Sequence, residues 1–220
     1  MSDAVTLTAL IAKCRRLSNQ ETADQTNALC TDAEITERLN ANLRAVYEQL
    51  VAARGSGFFR TIYAFSTVAG TADYALPSTF MGLLGVHMGV GGERIPLVDA
   101  SESEVAAMEL ATSSYPSRYQ LRVSNLTLLP TPSAVVSMRL IYTPAFVNLT
   151  AGSDTFDGVC GFEEAAVWRT VAEMLAKDQA DTGFAVLRIA EWDARVARLA
   201  AQRSGEPPRI RRVYRKRYYT

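Results

Sequence analysis

Imidazole is nearly absent from this chain: His87 is the single histidine among 220 residues. Hydrolysis of the Ser-His-Asp or Cys-His kind needs an imidazole held by a carboxylate and aimed at a nucleophile. His87 lies in LLGVHMGV, which has strand character, and no nucleophile-elbow pattern occurs anywhere, so it reads as a packed or half-exposed strand residue. Cysteine is scarce too. Cys14, Cys30 and Cys160 are odd in number and too widely spaced for a CxxC-type metal site, which fits small core residues of a reducing compartment. The apolar run at 80–90 is short and broken by glycine, against the roughly 20 residues of a membrane span. Asp3 stands where a secretion signal would carry Lys or Arg. The chain is therefore expected to be neither exported nor embedded in a membrane. Net charge is missing as well, since 23 Lys/Arg balance 23 Asp/Glu. That balance excludes whole-molecule attraction to nucleic acid or to an anionic membrane.

Sites for cofactors and metals are equally hard to find. A phosphate cradle needs backbone N–H groups converging at a helix start. Gly89, Gly91 and Gly92 are followed by Glu93 and a second strand pattern, as hairpin glycines would be. Asp154 and Asp157 form a loose loop pair without the other oxygen ligands of a calcium loop, and read as Asx-turn residues. Glu163 and Glu164 suit the first turn of a helix, and Asp178 with Asp181 a solvated helix end. The expectation is a protein with no catalytic residues, no cofactor and no metal.

What the chain does have is an uneven distribution of charge. Residues 204–220 carry six of the 23 Lys/Arg and one of the 23 Asp/Glu, so this tail is +5 and the body, with 17 cations against 22 anions, is −5. A Gly-Glu-Pro-Pro break at 205–208 precedes RIRRVYRKRYYT, where Ile210, Val213, Tyr214, Tyr218 and Tyr219 interleave with cations. Apolar and aromatic residues at that density distinguish a docking arm from a solubilising end.

Hydrophobic periodicity divides the body. Leu7, Leu10, Ile11, Cys14 and Leu17 predict a helix over 5–17. Thr31 and Asp32 supply an N-cap to a longer helix with Ile35, Leu39, Leu43, Val46 and Leu50, closed by Arg54-Gly55. From Phe58 the period falls to two: Phe59, Thr61, Tyr63, Phe65 and Thr67 alternate with Arg60, Ile62, Ala64 and Ser66, as the first strand of a hairpin turning at 69–73. Short strands are predicted over 74–76, 80–88, 94–98, 118–123, 126–129 and 135–142, the spacing of an antiparallel sandwich or small barrel. Ser101 and Glu104 fit a capping box for one helix over 101–111, placed to cover a sheet edge or an open end. The helical period returns with Val167, Val171, Met174 and Leu175, and then with Phe184, Leu187, Trp192, Val196 and Leu199 on a helix over 183–203.

The expected fold class is thus α+β. A four-helix base comes from an N-terminal pair (1–57) and a C-terminal hairpin (158–203), an antiparallel β-sandwich or barrel domain (58–157) is inserted between them, and an extended arm (204–220) follows.

The run Tyr63-Ala64-Phe65-Ser66-Thr67-Val68-Ala69-Gly70-Thr71-Ala72-Asp73-Tyr74-Ala75-Leu76-Pro77 is followed by a strand at 83–88. Leu126-Thr127-Leu128-Leu129-Pro130-Thr131-Pro132 and Leu140-Ile141-Tyr142 come next, and Leu39-Asn40, Leu43-Arg44 and Tyr47 mark the second helix. This order of a Y-x-L-P hairpin and an L-x-P-x-P strand after a helical N-terminus resembles the adaptor (head–tail connector) proteins of tailed bacteriophages, over about residues 31–180. Assignment to adaptors that contain a β domain rests on residues 58–142. The resemblance implies a structural virion protein at the head–tail junction, assembled in the host cytoplasm. It implies a ring of about twelve copies beneath the portal protein, a tail tube or nozzle protein on the far side, and genomic duplex DNA passing through the lumen without specific binding. The portal-docking segment would then be Arg209, Ile210, Arg211, Arg212, Val213, Tyr214, Arg215, Lys216, Arg217, Tyr218 and Tyr219.

A nucleic-acid-binding protein is the competing reading, with tail cations on phosphates and Tyr214, Tyr218 and Tyr219 stacked on bases. Its body should then gather Arg60, Arg94, Arg118, Arg122 and Arg139 on one basic face.

Overall fold

A computed structural model describes residues 4–21, 29–156 and 161–204, with 200–204 known only as helical backbone. In chain order the elements are β1 (Val5–Thr6), α1 (Leu7–Leu17), α2 (Asp32–Arg54), β2 (Thr61–Ser66), β3 (Asp73–Ala75), β4 (Phe80–Val90), β5 (Glu93–Pro96) and β6 (Val98–Asp99). There follow α3 (Glu102–Met108), β7 (Thr112–Ser113), β8 (Arg118–Leu121), β9 (Asn125–Leu129), β10 (Thr131–Pro132), β11 (Ser137–Pro144), β12 (Thr155–Phe156), α4 (Glu163–Lys177) and α5 (Gly183–Ser204). The class is α+β.

Local chemistry sets the helix ends where the sequence indicates them. Thr31 Oγ1 accepts from the Glu34 N–H at 3.2 Å, and Gly55 (φ 92°) ends α2 while donating its N–H to Val51. At 102–108 the α3 helix is shorter than expected, but the Glu104 carboxylate does reach back to the Ser101 N–H (2.9 Å) and hydroxyl (3.0 Å). The end of α1 is tied to the start of α2 by a residue that periodicity does not reveal. Buried Arg15 donates to Asp32 Oδ1 from Nε (2.8 Å) and Nη2 (2.6 Å), and to the Cys30 carbonyl (3.0 Å).

Helices α1, α2, α4 and α5 share one apolar cluster. Leu10 and Cys14 of α1, Leu39, Leu43 and Leu50 of α2, Val167, Val171 and Met174 of α4, and Ala185 and Val196 of α5 are all buried in it. The inward face of α5 differs from the expected stripe. Ala185, Trp192, Val196 and Leu199 pack into the cluster, whereas Phe184 and Leu187 are exposed. Ala185 is small enough to seat this helix closely against its neighbours, and that choice of face rotates Phe184 and Leu187 into solvent.

Eight strands form two four-stranded sheets, ordered β2-β11-β4-β5 and β3-β9-β8-β6, whose apolar residues meet in a second cluster, while β1 with β12 and β7 with β10 make two-stranded sheets. Val86, Met88, Met138 and Leu140 enter it from the first sheet, and Leu126 and Leu128 from the second. Two expectations change here. The segment at 69–73 is not a hairpin turn, because β2 pairs with β11 and β3 with β9, so the chain crosses from one sheet to the other at that point. Phe65 and Tyr74, 5.1 Å apart, bridge the crossing. Pairing is also not wholly antiparallel. β6 runs parallel to β8 because the return through α3 is long enough to bring the chain back in the same direction, and β7 runs parallel to β10 with β8 and β9 between them in the chain. Gly91 and Gly92, both at positive φ, do make the expected β4–β5 hairpin.

Candidate functional site

His87 is half-buried on β4, in register with Arg139 on one side and Pro96 on the other. Burial pushes the Cys14 thiol up to about 12, so it stays a protonated core group. Asp154 is not an Asx-turn residue as expected: its carboxylate reaches back and accepts from the N–H groups of Thr150 and Ala151 (2.8 Å each), which hold its pKa below the ordinary value. Asp157 and Cys160 lie outside the described residues. Among the described residues no group of three or more His, Cys, Asp or Glu is arranged to hold a metal ion.

The polar positions of the α2 motif have a clear task. Asn40, Arg44 and Tyr47 fall at i, i+4 and i+7, hence on one face of the helix. They meet the strand segment that leaves β11. Asn40 donates to the Leu149 carbonyl (2.9 Å) and accepts from the Leu149 N–H (2.8 Å), Arg44 donates to Asn148 Oδ1 (2.9 Å), and the Tyr47 hydroxyl donates to the Pro144 carbonyl (2.7 Å). A buried amide that satisfies both backbone groups of one residue fixes register as well as position. An apolar recess of about 300 Å³, lined by Tyr47, Phe59, Phe146 and Phe156 among others, lies beside this clamp. In the strand motifs, the Tyr74 hydroxyl accepts from the Val68 N–H and donates to the Thr71 carbonyl (2.9 Å each), and Tyr142 bonds Thr79 (3.0 Å). The α2 motif residues thus fasten the helix to the segment leaving β11, and the tyrosines of the strand motifs fasten the β region to itself.

A family model of SU10 adaptor proteins matches residues 5–214. The chain belongs to that family. No curated protein matches it. An SU10 adaptor is a structural protein of a phage particle, made to assemble with portal and tail components. Among the described residues of this adaptor, no helix is long and apolar enough to cross a membrane.

The five strand-region arginines do not gather on one face. Register places Arg94 and Arg139 with His87 on the outer side of the first sheet. Arg118 belongs to the second sheet and is held by Glu104 at 2.9 Å, and the following Arg122 donates to Gln120 at 3.1 Å. Arg60 precedes β2. All eleven arm positions, 209–219, lie outside the described residues. What the sequence did not reveal is the outward aromatic edge of α5. Phe184 packs edge-on to Trp168 at 5.4 Å, and the Arg195 guanidinium lies over both Trp192 (4.7 Å) and Phe162 (5.0 Å). The spacing of Ala185, Trp192, Val196 and Leu199 was the signal that could have shown it.

Proposed function

We propose that this adaptor forms a ring of about twelve copies between portal and tail, with the arm reaching to the portal protein. A tail tube or nozzle protein takes the opposite side, and genomic DNA passes through the lumen without being gripped. In this reading the helices of 1–57 and 158–203 are the base, the strands of 58–157 a sandwich domain projecting from it, and 204–220 the docking arm. Arg209, Arg211, Arg212, Arg215 and Arg217 would make charge-assisted contacts to acidic portal residues, with Tyr214 and Tyr218 as anchors in apolar clefts. The observation that carries the reading is the membership in the SU10 adaptor family together with the separation of a +5 tail from a −5 body. Dispersal of the strand arginines over two sheets and their flanks, two of them already engaged, speaks against a nucleic-acid face.

Titration of the free full-length protein into labelled duplex DNA at two salt concentrations tests this. Weak binding is expected. A binder making five or six phosphate contacts would lose affinity with a log–log salt slope of about −5. Sub-micromolar binding with that slope, and no assembly on portal rings by electron microscopy, would replace the adaptor reading with the nucleic-acid one.

A further inference from the structure

Among the described residues, β2 is the one long edge of the two four-stranded sheets that has no guard. It pairs with β11 alone, at the end of the first sheet. Thr67 donates its N–H across that ladder to Val136 at 2.9 Å. The antiparallel alternation therefore turns the backbone groups of Tyr63 and Phe65 toward β11 and those of Ile62, Ala64 and Ser66 outward. Sheet edges are normally blunted by charge, by proline or by shortness. β5 carries Glu93, Arg94 and Pro96, β3 has three residues and β6 has two. β2 has six residues with neither a charge nor a proline, and Ile62 and Tyr63 are 53% and 42% exposed. An edge of this kind takes up a further strand.

The helical layer directs the end of the described chain to this place. Lys177, at the end of α4, bonds Glu34 near the start of α2 (2.7 Å), and Phe162, beside the start of α4, meets Trp192 of α5 (5.7 Å). α4 is thus antiparallel to both, and α2 and α5 run the same way. Arg169 bridges Gln49 and Asp193 (3.0 and 2.7 Å), which sets these two level. Five residues of α2 follow Gln49 and eleven of α5 follow Asp193, so α5 runs on past α2 by roughly 9 Å. The first sheet begins at the same end: Thr143 of β11, beside the start of β2, donates to the Ser56 carbonyl at 2.8 Å, just beyond α2. Sixteen residues follow Ser204, enough for about 50 Å of extended chain, whereas β2 is about 20 Å long.

We infer that, before assembly, residues 209–220 of the same chain pair along β2 as a fifth strand of the first sheet, and that portal binding releases them. A tethered segment within reach meets the edge at an effective concentration in the millimolar range, which favours it over a second copy. Its composition fits. The period of two in a strand puts Ile210, Tyr214 and Tyr218 on one face, beside Tyr63 and Phe65, and Arg211, Arg215 and Arg217 on the other. Those cations give the sheet the charged edge that β2 lacks. Arg139 on β11 is then two strands away, about 10 Å, where salt screens the repulsion. The release step rests on the portal-docking reading above, while the pairing does not.

Hydrogen exchange on the free full-length chain, compared with the chain ending at Ser204, tests the pairing. The amides of Ile62, Ala64 and Ser66 should exchange about tenfold more slowly in the full chain. Because the Ala64 N–H points outward, Ala64→Pro removes a bond to the arm and none to β11. Trypsin should cut the arm of that variant about tenfold faster than the arm of wild type, with the urea midpoint little changed. If the midpoint does fall, the exchange comparison decides alone. Equal exchange in the two chains, or equal cleavage of wild type and a folded Ala64→Pro, would overturn the pairing. Protection that rises with protein concentration would overturn it too, by assigning the edge to a second copy. On DNA-filled capsids Ala64→Pro should attach at least as fast as wild type, since its arm is already free, and slower attachment would overturn the release step. A chain ending at Ser204 that attaches as well as the full chain would remove the portal reading, and the release with it, and leave the pairing standing.

Discussion

Helices and sheets in this protein solve the burial problem differently. The helical cluster holds twenty buried residues, while the cluster between the two four-stranded sheets holds nine. Four helices enclose a core from several sides, whereas two short-stranded sheets close only one layer and leave Ile62, Tyr63, Val98 and Leu121 exposed. Stability is therefore concentrated in the helices. The sheets are held to them by polar fastenings as much as by apolar packing.

Core truncation gives the largest effect that could break this comparison. Leu43, fully buried in α2, should lose about 4 kcal/mol on Leu43→Ala, and Met138→Ala in the sheet layer about 2 to 3 kcal/mol, where a thinner layer collapses more easily. Urea unfolding of the two variants measures both. A larger loss at Met138 would reverse the ranking of the two regions.

Next comes the fastening. Asn40→Ala leaves the Leu149 N–H and carbonyl without their partner at a buried position and should cost about 2 kcal/mol. Limited proteolysis should then cut preferentially within 144–156. An unchanged urea midpoint and cleavage pattern would show that the clamp does not join the two regions.

Acid gives the smallest effect. Glu34, bonded to Lys177 and Arg38, has its pKa lowered chiefly by the Lys177 hydrogen bond, and the backbone and hydroxyl of Ser101 lower that of Glu104. Folded values below unfolded ones mean stabilisation that is complete above the ordinary carboxylate range and is lost as pH falls through it. Thermal unfolding between pH 7 and pH 3 should show that decline, and Glu34→Gln should cost under about 1 kcal/mol at pH 7 and flatten it. A Glu34→Gln profile that falls as steeply as wild type would assign the decline elsewhere.

Much of the fold was legible because local chemistry and period agreed: Thr31, Gly55, Ser101 with Glu104, and the Gly91-Gly92 hairpin all stand where their side chains or their lack of one require. The crossing at 69–73 was not, since a tight turn looks the same whether its strands pair with each other or with β11 and β9. Nor was Arg15, whose partners Asp32 and Cys30 are distant in sequence. On α5, two apolar rows overlap in the helical period, and only packing decides that Ala185 goes in and Leu187 stays out. For the candidate site, Asn40, Arg44 and Tyr47 were visible as a motif, but their role waited on the strand they grip.

Cutting the chain after Ser204 and measuring its attachment to DNA-filled capsids tests the central claim most directly. The shortened protein should remain folded, with a wild-type circular-dichroism spectrum, and should fail to join the capsids. Attachment equal to that of the full chain would show that the body, and not the arm, carries the portal contact.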